Sequence, residues 1–291
     1  MSKQVFEKIK RLFEKLFQTK RPSKNEKESW TLWSVGGTVL RTLKLLSNVF
    51  FVFVLLGCLF GGGIALGYGA RIFDKVETPK KEEFIKKIQD ISTISELKYA
   101  DGSSISAIDS DLLRVPIKSK DISDNVKKAV IATEDENFRK HNGVVTKAVL
   151  RATLGSVVGI GSSSGGSTLT QQLIKQQVVG DAPTFSRKAS EIIDALALER
   201  YMSKDDILTT YLNVAPFGRN NKGQNIAGVE EAAQGIFGVP ASKLTIPQAA
   251  FIAGLPQSPI VYSPYAADGS LKSAKDMTFG LNRSKNVIYN M

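Results

Sequence analysis

Residues 131–143 read IATEDENFRKHNG and hold two adjacent acids, Glu134 and Asp135, with the chain's only histidine, His141, close behind. The acids follow the apolar run Ala129-Val130-Ile131-Ala132, and Phe138 and Gly143 complete the pattern. A carboxylate at the mouth of an apolar segment loses part of its hydration. That loss raises its pKa towards working pH and suits it to general acid or base chemistry. The same two acids also suit the first turn of a helix or a solvated surface pair, because most carboxylates are exposed.

Two further groups lie downstream. In Gly166-Ser167-Thr168-Leu169-Thr170-Gln171-Gln172, Ser167 or Thr168 is placed to cap a helix. On that helix Ser167, Gln171 and Lys175 follow at i, i+4 and i+8, so they share a face, with Gln172 beside them. A hydroxyl, two amides and an ammonium in a row suit a polyanion or a sugar, and they suit a plain solvated face as well. Next comes Arg187-Lys188-x-x-Glu191, where Lys188 and Glu191 are one turn apart. As a surface ion pair that spacing is worth only about 0.3–0.5 kcal/mol. Asn213, with Tyr211 before it and Phe217-Gly218 after it, reads as a helix end and turn.

The rest of the chain must position these groups. Its 291 residues suit one large domain or two small ones, and 42% are hydrophobic. The net charge of +11 implies an anionic partner. Cys58 is the only cysteine, so the sequence offers no disulfide framework, and with one histidine it offers no zinc ligand set. GIGSSSGG at 159–166 has a loop composition and is not a phosphate-binding P-loop, because no Gly-Lys-Ser/Thr follows.

Residues 1–44 form a basic tail in which VFEKIKRLFEKLF has the spacing of an amphipathic helix suited to an anionic membrane surface. No charge interrupts residues 45–70, and the run exceeds the roughly 20 residues that cross a bilayer. We expect a single transmembrane helix there, with the glycines at 61–63 kinking its outer half. Lysines and arginines crowd the preceding flank, so the N-terminus is expected in the cytoplasm and the rest outside. Residues 71–90 are expected as a connector with a helix in PKKEEFIKKIQDI, and ELKYADGSSISAI as a short hairpin turning at Asp101-Gly102. Long helical patterns occupy 129–262, and residues 266–291 are expected as a C-terminal linker.

Taken in order, these segments resemble glycosyltransferase family 51, the peptidoglycan glycosyltransferases, and in particular the N-terminal part of class A penicillin-binding proteins. The resemblance rests on Glu134-Asp135-x-x-Phe138-x-x-His141-x-Gly143, on Gly166 to Gln172 with Lys175, and on Arg187-Lys188-x-x-Glu191. It continues through Leu208-Thr-Thr-Tyr211-Leu-Asn213 with Phe217-Gly218, and through AAQGIFG and QAAFIAGLPQSP.

It implies a mainly α, lysozyme-like domain with a head and a jaw lobe over about residues 91–265. The apolar stretch 144–160 of the jaw would touch lipid. It implies polymerisation of lipid II with inversion at the anomeric carbon and release of polyprenyl pyrophosphate. In that frame Glu134 and Glu191 are the expected catalytic residues. Glu134 would be the base, and Glu191 would orient cations or a divalent metal (magnesium or manganese) at the pyrophosphate. Ser167, Thr168, Gln171, Gln172, Lys175, Arg187 and Lys188 are the expected substrate-binding residues. Asp135, Phe138, His141 and Asn213 would hold the motifs in shape. The expected partners are lipid II and the growing glycan strand, membrane lipid, and other cell-wall synthesis and division proteins, with no nucleic acid.

The chain departs from the family pattern in one stretch. VVGDAPTFS holds Pro183 near the place where many members carry a further basic residue. Two fragments, Ser95-Glu-Leu-Lys98 and Ser123-Asp124-Asn125, mimic transpeptidase motifs. We read both as chance, since no Lys-Thr-Gly follows.

Overall fold

The structure is a computed structural model that describes residues 32–74, 79–91, 96–101, 104–107, 112–149, 151, 166–182 and 184–291. The amphipathic stretch of the basic tail, Gly102 of the hairpin turn, residues 152–165 and Pro183 lie outside the described residues. The chain divides into two compact units, residues 1–67 and 68–291.

The first unit is dominated by α1 (Leu32–Asp74), which starts well before the uncharged run and passes Gly61–Gly63 without interruption. The helix is unbroken at these glycines. A glycine costs a helix only about 1 kcal/mol, and one that meets no packing demand is carried along by its neighbours. Within α1, Gly37–Ile64 forms a stretch of 28 residues with mean hydropathy 2.2, long and apolar enough to cross a membrane. Its large apolar side chains, among them Phe50, Phe53 and Phe60, are exposed.

The second unit is mainly helical. α2 (Lys81–Gln89) buries Phe84 and Ile88 in the common core, so the expected connector helix is part of the domain. β1 (Glu96–Lys98) and β2 (Ser104–Ala107) pair antiparallel, which places the expected hairpin. β3 (Leu112–Leu113) later joins β5 (Asn225–Ala227) in parallel, with β4 (Pro216–Arg219) antiparallel on the other side of β5.

α3 (Asp124–Glu134) buries Val126, Ala129 and Val130, the i, i+3, i+4 stripe that a helix turns towards a core. Ser123 caps it. The Ser123 hydroxyl accepts from the Asn125 backbone N–H and donates to the Leu244 carbonyl, so the Ser-Asp-Asn fragment is a helix start. Residues 146–149 are helical. α4 (Leu169–Ile174) opens on a capping box between Thr168 and Gln171 and continues as a π-turn, Lys175–Val179. α5 (Phe185–Tyr201) and α6 (Lys204–Val214) pack on α4. α7 (Val229–Phe237), α8 (Ile246–Gly254), α9 (Pro259–Tyr262) and α10 (Ala274–Asn290) complete the domain.

α8 packs on both α3 and α10, and α10 also meets α3. Val287 of α10 is fully buried in the core, alongside the buried small residues Gly280 and Ser284. The segment expected as a linker is thus packed helix. Small residues at these spacings let the helix approach its neighbours closely, and a carbon added at Gly280 would fall 2.5 Å from the Tyr262 carbonyl oxygen.

Candidate active site

Glu134 is the last residue of α3, so its side chain leaves the helix at the core's edge, 12% exposed. It is therefore a last-turn and not a first-turn acid. Both of its oxygens are held. Gln172 Nε2 donates to Oε2 at 3.1 Å, and Arg283 of α10 donates to Oε1 at 3.2 Å. The Gln172 amide is oriented in turn by the Tyr211 hydroxyl, which donates to Oε1 at 3.0 Å. Burial, with a smaller push from the charge of Glu134, holds the Tyr211 phenol well above its usual pKa, so it stays a donor.

Asp135 caps the end of α3 and faces the opposite task. Its Oδ2 accepts from His141 Nε2 at 2.8 Å and from the Leu169 N–H, in the first turn of α4, at 2.9 Å. The Gly143 N–H donates to His141 Nδ1 at 3.0 Å, which fixes the ring tautomer: Nε2 carries the proton and gives it to Asp135. A second ring of contacts supports the loop. Lys204 Nζ bonds the His141 carbonyl and Glu199, both at 2.7 Å, and Thr170 Oγ1 bonds Glu199 at 2.6 Å. Lys204 also lies 4.6 Å from the centre of the buried Phe138 ring. Gly143 adopts φ +90°, and a β-carbon there would sit 2.5 Å from the Ala195 carbonyl oxygen, so this loop requires glycine.

The expected shared face of Ser167, Gln171 and Lys175 does not form. Gln171 is 1% exposed, and its amide oxygen accepts the Thr168 N–H at 3.1 Å, so it closes its own helix end. Thr168 Oγ1 accepts from the Gln171 N–H and donates to the Gly143 carbonyl at 2.6 Å, tying the two motifs together. Ser167 precedes the helix. Lys175 stands where α4 becomes the π-turn and bonds Asp181 at 2.6 Å. Thr168 and Gln171 are buried, and Gln172 bonds Glu134 and Tyr211.

Arg187 and Lys188 do converge. Glu191 is 2% exposed, and its two oxygens are taken by Arg187 (2.6 Å to Oε2) and by Lys188 on Oε1. Lys188 also donates to Ser167 Oγ at 3.2 Å. Ser167 lines a cleft of about 540 Å³ together with Glu134, Asp135, Thr168, Lys147 and Arg151. Through Ser167, the cationic cluster therefore reaches the cleft into which Glu134 is set. Asn213 lies apart from it. Its amide grips the Ile117 backbone through both the N–H (3.0 Å) and the carbonyl (2.9 Å), which is a holding role.

The transglycosylase family profile matches residues 101–291. The chain belongs to the transglycosylase family. Its helical domain is accordingly of the lysozyme-like kind expected from the motifs. Penicillin-binding protein 1A of Clostridium perfringens (strain 13 / Type A) is 36% identical over 212 residues, covering 71% of this chain and 30% of that protein. Penicillin-binding protein 2a of Streptococcus pneumoniae (strain ATCC BAA-255 / R6) is 41% identical over 175 residues, covering 60% and 22%. Penicillin-binding protein 1F of Bacillus subtilis (strain 168) is 35% identical over 175 residues, covering 60% and 24%. The chain thus spans about a quarter of the length of these curated relatives.

Among the described residues, no group of three or more His, Cys, Asp or Glu side chains is placed to hold a metal ion. Glu191, the acid expected beside a divalent cation, has both oxygens engaged by cationic side chains. These two side chains neutralise the Glu191 carboxylate. Sequence reasoning missed Arg283, Glu199 and Lys204. Arg283 is 149 positions from its partner, and no local pattern signals such a contact.

Proposed function

We propose that this chain is a membrane-anchored peptidoglycan glycosyltransferase. It joins lipid II units into a glycan strand, inverts the anomeric carbon and releases polyprenyl pyrophosphate. The observation that carries this reading is the pairing of one fixed carboxylate, Glu134, on the cleft with a separate cationic cluster whose Lys188 bonds Ser167 of the cleft wall. A hydrolase of glycosidic bonds places an acid and a base on either side of the bond. Here Glu134 is held by Gln172 and Arg283, and the second carboxylate, Glu191, is tied up by Arg187 and Lys188.

The chemistry matches that division of labour. The nucleophile is a sugar hydroxyl, which needs a base to take its proton as it attacks. Glu134 is that base, and its two donors aim its carboxylate into the cleft. The leaving group is a pyrophosphate, a weak base that leaves without a strong acid. It needs positive charge and donors where its negative charge develops. Lys188 and Arg187, held by Glu191, supply the charge, Ser167 supplies a hydroxyl, and Lys175 adds a second ammonium. Asp135 and His141 hold the loop and take no part in proton transfer, because both ring nitrogens of His141 are already committed.

Gly37–Ile64 supplies the anchor, and the cationic Arg41 and Lys44 near its start favour a cytoplasmic N-terminus with the enzyme outside. The described part of 79–291 forms the catalytic domain. The test is product analysis with labelled lipid II and the full chain in detergent. Glycan polymer supports the reading. Release of fragments from finished wall, with no polymer from lipid II, contradicts it.

A further inference from the structure

The loop between the two groups of clamp cations carries an acid. α4 ends in the π-turn Lys175–Val179, and the Gly180 N–H closes that turn on the Lys175 carbonyl at 2.9 Å. Gly180 has φ +70°, which sends the chain back across the turn. Asp181 then reaches Lys175, Oδ1 to Nζ at 2.6 Å. On the far side of the loop, Arg187 Nε donates to the Ala182 carbonyl, so the loop is tied to the second cation as well. The Lys175 hydrogen bond and charge, joined by the charge of Arg187, hold the Asp181 carboxyl below the usual carboxylate range. Asp181 therefore sits between the clamp cations as an anion. Its side chain is 86% exposed and supports no core packing.

We propose that Asp181 is an affinity-determining residue, an internal counter-ion that occupies Lys175 and that the pyrophosphate of a polyprenyl substrate or product must displace. This rests on the reading of the cleft given above. An incoming pyrophosphate brings two or more negative charges to Lys175 and meets the like charge of Asp181. The acid weakens the bound state and takes the lysine back when the leaving group departs. The device sets how readily product leaves, and it stands in the stretch where this sequence lacks a basic residue.

The test compares wild type, Asp181→Asn, Lys175→Gln and the double variant, as full chains in detergent. The probe is geranyl pyrophosphate, measured by calorimetric titration and as an inhibitor of lipid II polymerisation. Asp181→Asn should tighten binding about three- to tenfold at low salt, the range for freeing one exposed cation and removing one like charge. The gain should shrink at high salt and, in the Lys175→Gln background, fall to the smaller part that comes from removing the like charge alone. An unchanged affinity in Asp181→Asn, or an equal gain without Lys175, overturns the proposal. An Asp181→Lys variant that binds no tighter than wild type overturns it too. A wild type that polymerises lipid II while these variants behave alike removes only this inference. A wild type that makes no polymer and binds no prenyl pyrophosphate removes the functional reading itself.

Discussion

Asp194 on α5 offers a quantitative test of the packing between α5 and α2. It is 7% exposed, and burial pushes its carboxyl up to about 6, with the charge of Lys87 on α2 acting in the opposite sense. A carboxyl raised from 3.8 to about 6 costs the folded state about 3 kcal/mol when it must ionise. Local relaxation and water access lower that to about 2 kcal/mol. The folded state holds the proton more tightly than the unfolded chain, so stability falls as pH rises from about 4 to about 6 and stays low above that. Asp194→Asn removes the charge and keeps the shape. It should match wild type near pH 4 and gain about 2 kcal/mol near pH 8, read as a melting temperature about 5 °C higher. Thermal unfolding of both proteins across that range measures it. An equal gain at both ends would assign the effect to amide hydrogen bonding. No gain at the alkaline end would refute the claim that the buried charge is costly.

Other outcomes follow from the cleft and its supports. Arg283→Ala should lower polymerisation roughly 10- to 100-fold, as expected for a misaimed base, while lipid II affinity holds; a loss confined to affinity would place Arg283 on the substrate instead. Gly143→Ala meets both a positive φ and a backbone oxygen at 2.5 Å, and should destabilise the domain by roughly 1–3 kcal/mol or more, visible in its melting temperature.

The long apolar helix, the helical domain and the order of the motifs were legible because they rest on local signals: hydropathy, helical spacing and turn residues. The capping box was legible as well, since Thr168-Leu-Thr-Gln171 has its Thr-x-x-Gln spacing. Reading it would have turned Gln171 inward and broken the supposed binding face. That face also assumed one uniform helix, whereas α4 starts after Ser167 and changes to a π-turn at Lys175. Burial was the second blind spot. An i, i+3 Lys–Glu pair looks like surface decoration, and only tertiary packing shows that Glu191 is enclosed with two cations. Arg283 was hidden for the same reason, because α10 meets Glu134 only through tertiary packing, in which α8 lies against both α3 and α10.

The central claim is that Glu134 removes the proton from the attacking hydroxyl. It is tested most directly by labelled lipid II with wild type beside Glu134→Gln, both checked for folding and for lipid II binding. The account predicts polymer from the wild type and, because a positioned base contributes about 100- to 10,000-fold, almost none from a variant that still binds. A folded Glu134→Gln that polymerises at the wild-type rate would contradict it.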